Sequence, residues 1–206
     1  MQVITPLLRL HTITGDLADE LGQLAARGIH DPDFMPFSIP WSDADDLETS
    51  TPQYFSRCYR EAEPQHWVLP MAVLVGTVAV GVCTVSADRF PARRTVTTGS
   101  WLGRNYQRRG YGREMRAAAL HLAFVGFGAR RATTSVWHDN AASLGVTRAL
   151  PYRHTRTVTQ LRRQTPDRLL HFSMSRRRWE TTRRTDIALI DIAPVCARLE
   201  IPQPAN

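Results

Sequence analysis

At 206 residues the chain can bury one full core, so neither disulfides nor a structural metal is needed to hold it together. Cys58, Cys83 and Cys196 stand far apart without Cys-x-x-Cys spacing, which argues against a zinc ribbon or disulfide framework and suits a reducing cytoplasm. The net charge of +7 is uneven: residues 1–64 hold 11 acidic residues against 4 arginines, and the rest hold 8 against 22, which speaks against a general nucleic-acid surface.

Residues 4–11 alternate well enough for a first strand, and Thr14 caps a helix that should end near Gly28. From Ile29 to Trp41, Pro32, Pro36 and Pro40 forbid a regular element, yet Phe34, Phe37 and Trp41 are too apolar for a solvated linker. The segment reads as a binding loop or as a hydrophobic plug over the helix. Thr51-Pro52 opens a second helix to about Glu63. Residues 67–75 and 78–86 form a hairpin around Gly76-Thr77. The apolar run over 71–83 is too short and too broken by glycine to span a bilayer. With no signal pattern at the N-terminus, the expectation is a cytoplasmic protein without membrane contact.

The most informative stretch is Gln107, Arg108, Arg109, Gly110, Tyr111 and Gly112. Before it, residues 94–103 are rich in β-branched and aromatic side chains and read as a strand. After it, Met115, Ala118, Ala119, Leu122 and Gly126 recur at helical spacing, with Arg113, Glu114 and Arg116 on the outer face and Gly128 as a stop. Two glycines let the backbone approach a ligand, and the amides that open a helix have no intrahelical partner. The stretch is therefore a cradle for a phosphate or pyrophosphate. Residues 131–137 follow as a second strand, parallel to the first through a right-handed crossover. His138, Asp139 and Asn140 then lead into a helix over 141–150 ended by Pro151.

Strands over 155–162 and 169–175, turning at Pro166-Asp167, complete an α+β fold with a mixed sheet of about seven strands. Residues 1–175 are expected to form the domain. Residues 176–206 are expected to form a C-terminal extension that packs on it, adds an edge strand or makes a homo-oligomer contact. Two other nucleotide sites fail on the same residues: a P-loop requires lysine, which this chain lacks, and the dinucleotide fingerprint lacks its third glycine.

The cradle resembles the Gln/Arg-x-x-Gly-x-Gly/Ala signature of the GNAT superfamily of acyl-CoA-dependent N-acyltransferases. Strand, loop, helix, strand, Asn140 and a short helix follow in that family's order over 96–152. Asn140-x-x-Ser143 is similar to the RimJ/RimL-type ribosomal-protein acetyltransferases, and residues 30–37 and 99–103 resemble an actinobacterial subgroup.

The resemblance implies a mostly antiparallel sheet with helices on both faces. It also implies a central parallel pair splayed around the arm of acetyl-CoA or another short acyl-CoA, with no metal. It maps the arm onto Trp101, Leu102 and Gly103 and onto residues 135–137, with Asn140 and Ser143 at its end. The acceptor would be a protein N-terminus, a lysine or a small-molecule amine, and the donor acetyl or succinyl.

Three positions depart from the family: Thr147 stands where a catalytic tyrosine is common, Pro151 where glycine is common, and Thr97 or Thr98 where glutamate is common. Ser143 becomes the candidate acid. Asp33, beside Asp31 and Asp43, and His138 become the candidates for holding or deprotonating the amine. The missing tyrosine and glutamate leave one alternative, a non-catalytic acyl-CoA sensor or scaffold on the same fold.

Overall fold

The computed structural model describes residues 1–202. In chain order its elements are β1 (Gln2–Ile4), β2 (Arg9–Thr12), α1 (Gly15–Ala26), α2 (Leu47–Arg60), β3 (His66–Val75), β4 (Val78–Asp88), α3 (Phe90–Arg93), β5 (Thr95–Leu102), α4 (Tyr111–His121), β6 (Arg131–Trp137), α5 (Ala141–Arg148), β7 (Arg153–Arg162), β8 (Thr165–Ser175), α6 (Arg176–Glu180), β9 (Ala188–Ile190) and α7 (Ala193–Arg198). They form a mixed α+β fold on one nine-stranded sheet of order β7-β8-β6-β5-β4-β3-β2-β1-β9, antiparallel except where β5 meets β6. No helix among the described residues is long and apolar enough to cross a membrane.

The sheet exceeds the expected seven strands for two reasons. The single strand expected over 4–11 is a hairpin: Pro6 has no amide to give, and the Thr5 hydroxyl bonds to the Leu8 carbonyl at 3.0 Å while accepting from the Leu7 and Leu8 amides. At the other end of the chain, β9 pairs antiparallel with β1 and so becomes an edge of the sheet. Residues 203–206, the end of the expected extension, lie outside the described residues.

Two further boundaries move. The second helix starts at Leu47, four residues before Thr51, because the Asp46 side chain accepts from the Thr49 amide at 3.0 Å and caps it there. Pro52 therefore lies inside α2, where its missing N–H leaves the Glu48 carbonyl open. Gly22 of α1 fits against that oxygen, where a Cβ would stand only 2.7 Å away. The β7–β8 turn falls at Arg163 and Gln164, whose φ values of 50 and 76 make a two-residue hairpin turn. Pro166 and Asp167 belong to β8, and the proline is tolerated because β6 ends opposite Leu169 and leaves that side of β8 unpaired.

Ile13, Leu21, Leu24, Phe55, Leu74 and Val82 seal α1 and α2 onto one face of the sheet. Val96, Leu102, Met115, Ala118, Ala119 and Leu122 seal α4 onto the other. Each large side chain buried this way contributes about 1.5–3 kcal/mol.

What positions the site is the parting of β5 and β6, which pair only at Thr95–Arg131, Val96–Ala132 and Thr97–Thr133. Past that point β5 stays with β4 as far as the Leu102–Gly81 pair, and β6 stays with β8 as far as Trp137–Leu169. The two parallel strands diverge, and a gap opens between them. At its closed end the Thr134 hydroxyl donates to the Thr98 carbonyl at 3.1 Å.

Candidate active site

The cradle follows β5 and opens α4. Gly110 is the cap residue at φ 83, a left-handed conformation that any side chain would strain, and no atom lies within 4 Å of where its Cβ would be. The Arg113 and Glu114 amides turn back to the Gly110 carbonyl at 3.1 and 3.2 Å, which leaves the amides of Tyr111 and Gly112 as outward donors. Gly112 has a second reason to lack a side chain: a Cβ there would press on Val146 of α5 at 3.3 Å, so it also sets the approach of the two helices.

Arg104, Arg108, Arg109 and Arg113 lie within or beside the cradle in sequence, all exposed, and none pairs with a carboxylate among the described residues. Arg108 is itself left-handed at φ 60, and Arg109 lies 5.9 Å from the Tyr106 ring. Gln107 is exposed, but its side chain is engaged. Its side-chain amide donates to the Ile29 carbonyl at 2.8 Å and the Leu102 carbonyl at 2.9 Å, tying the cradle to β5 and to the aromatic loop. Gly103 is a close approach as well, since a Cβ there would meet Leu24 at 2.6 Å.

The outer face expected for α4 is only partly solvated. Arg113 is exposed, but Glu114 is 7% and Arg116 3% exposed, because α4 is covered on the flank away from its apolar stripe as well. Glu114 meets Arg184 of the C-terminal extension at 2.6 and 3.1 Å. Arg116 reaches the gap, where it donates to Thr134 Oγ1 at 3.1 Å on β6 and Ser100 Oγ at 3.4 Å on β5.

Asn140 caps α5, its Oδ1 accepting the Ser143 amide at 3.0 Å. The Asn140 side-chain NH₂ has no acceptor among the described residues. The Ser143 hydroxyl is half-buried and has no partner among the described residues. Thr147, in the position of the family tyrosine, is fully buried with an unpartnered hydroxyl. The helix ends at Arg148 without a left-handed residue, and Pro151 follows. Tyr152 then turns back toward the gap, with its hydroxyl 3.4 Å from Thr98 Oγ1.

The opposite side of the sheet carries the aromatic loop. Phe37, Trp41 and Trp101 pack in succession as tilted rings, their centroids 5.1 and 5.9 Å apart, so the Trp101 ring belongs to this side. Trp137 donates its indole N–H to the Phe37 carbonyl at 3.0 Å. Arg162, on β7, packs over Phe34 and Trp137, donates to the Met35 carbonyl at 2.7 Å and bonds to both Asp139 and Asp167. The loop is thus bolted to β5, β6 and the β7–β8 hairpin.

Of its acidic residues, Asp43 is taken by Arg163 at 2.7 and 2.8 Å, whose hydrogen bond and charge hold its carboxyl below the usual range despite some desolvation. Asp31 accepts the Asp33 amide, and the exposed Asp33 carboxylate has no ion-pair partner among the described residues.

His138 does not pair with its neighbour Asp139. Its Nε2 lies 2.9 Å from Asp167, and its Nδ1 lies 3.3 Å from Arg168. Burial pushes the Asp167 carboxyl up, but the Arg162 hydrogen bond and charge and the Arg168 amide together hold it low. His138, Asp139 and Asp167 cluster as metal ligands do, although the Arg162 guanidinium already bonds both carboxylates.

Arg116, Tyr152 and Arg162 are the members of this site that sequence reasoning passed over. Arg116 lies one residue after Met115 and three before Ala119, at the border of the apolar stripe, which was the available signal. For Tyr152 and Arg162 no local signal exists, because both act across the sheet.

The family model described as an acetyltransferase (GNAT) domain matches residues 7–153. Among solved structures, the chain is similar to Mycobacterium smegmatis RimJ bound to a CoA disulfide, at 15% identity over 92% of this chain and 96% of that one, with a TM-score of 0.73. It is also similar to RimL, a ribosomal L7/L12 alpha-N-protein acetyltransferase in complex with coenzyme A, at 15% identity over 84% and 96% and a TM-score of 0.69. A GCN5-related N-acetyltransferase from Brucella melitensis matches at 17% identity over 87% and 80%, with a TM-score of 0.70. The family model covers most of the chain, and a glycine-opened helix behind two diverging parallel strands agrees with it: the chain belongs to the GNAT acetyltransferase family of acyl-CoA-dependent N-acyltransferases.

Proposed function

We propose that the chain moves a short acyl group, acetyl or succinyl, from acyl-CoA to a primary amine by direct attack within a ternary complex. The observation that carries this reading is the gap between β5 and β6, which opens beside a cradle flanked by exposed arginines that make no ion pair among the described residues. These residues suit coenzyme A: the Tyr111 and Gly112 amides and Arg108, Arg109 and Arg113 for its phosphates, and the edges of Trp101, Leu102 and Gly103 for its arm. The bound thioester supplies the electrophilic carbonyl. The named substrate of the RimL neighbour makes a protein N-terminus the first acceptor to test.

In the reaction the amine nitrogen bonds to the thioester carbonyl, the carbon–sulfur bond breaks, the amine loses a proton and the sulfur gains one. Ser143, with its free hydroxyl one helical turn into α5, is our candidate donor to the leaving sulfur. Asp33 is our candidate for holding the incoming ammonium. His138, oriented by Asp167, is our candidate to take the proton through water.

A covalent acyl-cysteine route is disfavoured, because burial pushes the Cys83 thiol up to about 11 despite the nearby Arg116 charge. At neutral pH it is a thiol and not a nucleophilic thiolate.

Ser143→Ala should lower kcat about 10-fold or more while leaving acyl-CoA affinity within about twofold, read by initial rates and calorimetry. Unchanged turnover would remove Ser143 as the acid. Asp33→Asn should raise the acceptor KM about 3- to 10-fold with little effect on the acyl-CoA KM; a change confined to acyl-CoA would move Asp33 out of the acceptor site. Initial rates over a grid of both substrates test the ternary complex itself. Intersecting double-reciprocal lines are expected, and parallel lines would indicate an acyl-enzyme.

A further inference from the structure

Arg116 is a buried cation without an anion. It is 3% exposed, its Nε is fully buried and unpartnered, and its Nη atoms reach only two hydroxyls, Thr134 Oγ1 and Ser100 Oγ. No carboxylate lies within ion-pair distance of it among the described residues, since the nearby Glu114 is held by Arg184. Leaving a guanidinium this way costs several kcal/mol, and folds keep such a charge where something repays it.

Its position says what repays it. The side chain bridges the two strands across the gap just beyond their last pair, Thr97–Thr133. The surrounding groups form a hydrogen-bonded chain at the closed end: Arg116 donates to Thr134, Thr134 donates to the Thr98 carbonyl, and Tyr152 Oη lies against Thr98 Oγ1. On the acyl-CoA reading above, an arm entering from the cradle along the open edge of β5 runs toward this closed end.

Resting on the acyl-CoA reading above, we infer that Arg116 selects acyl groups ending in a carboxylate, such as succinyl, over neutral acyl groups. The distal carboxylate replaces the missing anion and takes guanidinium donors that now reach only hydroxyls or nothing, with the Tyr152 hydroxyl as a further donor. It takes no part in the bond exchange: the carbon–nitrogen bond still forms and the carbon–sulfur bond still breaks at the thioester, and the carboxylate is carried unchanged into the product.

The test needs no acceptor. Calorimetry of the full chain with succinyl-CoA, butyryl-CoA and free CoA separates the outcomes, because butyryl has the same chain length without the carboxylate. Succinyl-CoA should bind roughly 10- to 100-fold more tightly than butyryl-CoA, and Arg116→Met should bring that ratio close to one. Equal affinities for succinyl- and butyryl-CoA in the unmutated chain would overturn the inference and leave Arg116 a strut between the strands. That comparison stands even if the variant does not fold. Failure of all three to bind would instead overturn the coenzyme A reading beneath it.

Discussion

Gly110→Glu is expected to weaken coenzyme A binding by about 100-fold or more while the fold persists. The residue sits at φ 83 with open space around it, so the substitution costs roughly 1–2 kcal/mol of backbone strain and a Tm loss of about 2–8 °C. Its carboxylate would stand next to the outward Tyr111 and Gly112 amides, among the exposed Arg104, Arg108, Arg109 and Arg113, and would cancel part of the charge meant for the phosphates. Calorimetry against circular dichroism reads the two effects separately. Normal affinity in a folded variant would show that the helix opening is an ordinary turn.

Gly81→Ala is expected to be the most damaging small substitution in the sheet. Gly81 pairs with Leu102 at the last step of β4 beside β5, and a Cβ there would lie 2.2 Å from the Trp101 carbonyl and 2.8 Å from the Leu102 Cα. Both are backbone atoms, so no side chain can rotate away and the strands themselves must part. The cost should be about 2–4 kcal/mol, seen as a Tm loss of about 5–15 °C. The displaced edge is the one proposed to carry the acyl-CoA arm, so affinity should fall too. Gly145→Ala is the matching control: an exposed position within α5, with no atom within 4 Å of the added methyl, where the exchange should raise stability by up to about 1 kcal/mol. Similar losses at both positions would mean that close packing at Gly81 is not the cause.

The parts of this molecule that were legible in its sequence are those specified locally. The hairpin over β3 and β4, the strand on each side of α4 and the glycine opening of that helix are written in alternation, helical spacing and φ-permissive residues. The turn at Arg163-Gln164 was not legible, because neither residue is a usual choice for left-handed backbone, while Pro166-Asp167 next to it has the composition of a turn. The single apolar stripe of α4 places Glu114 and Arg116 on the solvent side. What buries them is an arginine 70 positions away in one case and a gap between two strands in the other. The aromatic loop could be read as a plug or a binding loop, and its anchors explain why: its backbone carbonyls and rings are held by Gln107, Trp137 and Arg162, none of which is near it in sequence. His138 and Asp139 are neighbours in the chain, which by itself says nothing of contact, and strand pairing brings Asp167 to the imidazole instead.

The most direct test of acyl transfer at the gap is mass spectrometry of the products formed when the purified chain is incubated with acetyl-CoA or succinyl-CoA and a set of amines. The set should include a peptide with a free N-terminus, free lysine, a polyamine and an aminoglycoside. The expected products are an amine that carries the acyl group and free coenzyme A thiol released in equal amount, with no acyl group on the protein. Tight binding of acyl-CoA with no acylated amine from any member of the set would contradict acyl transfer at the gap.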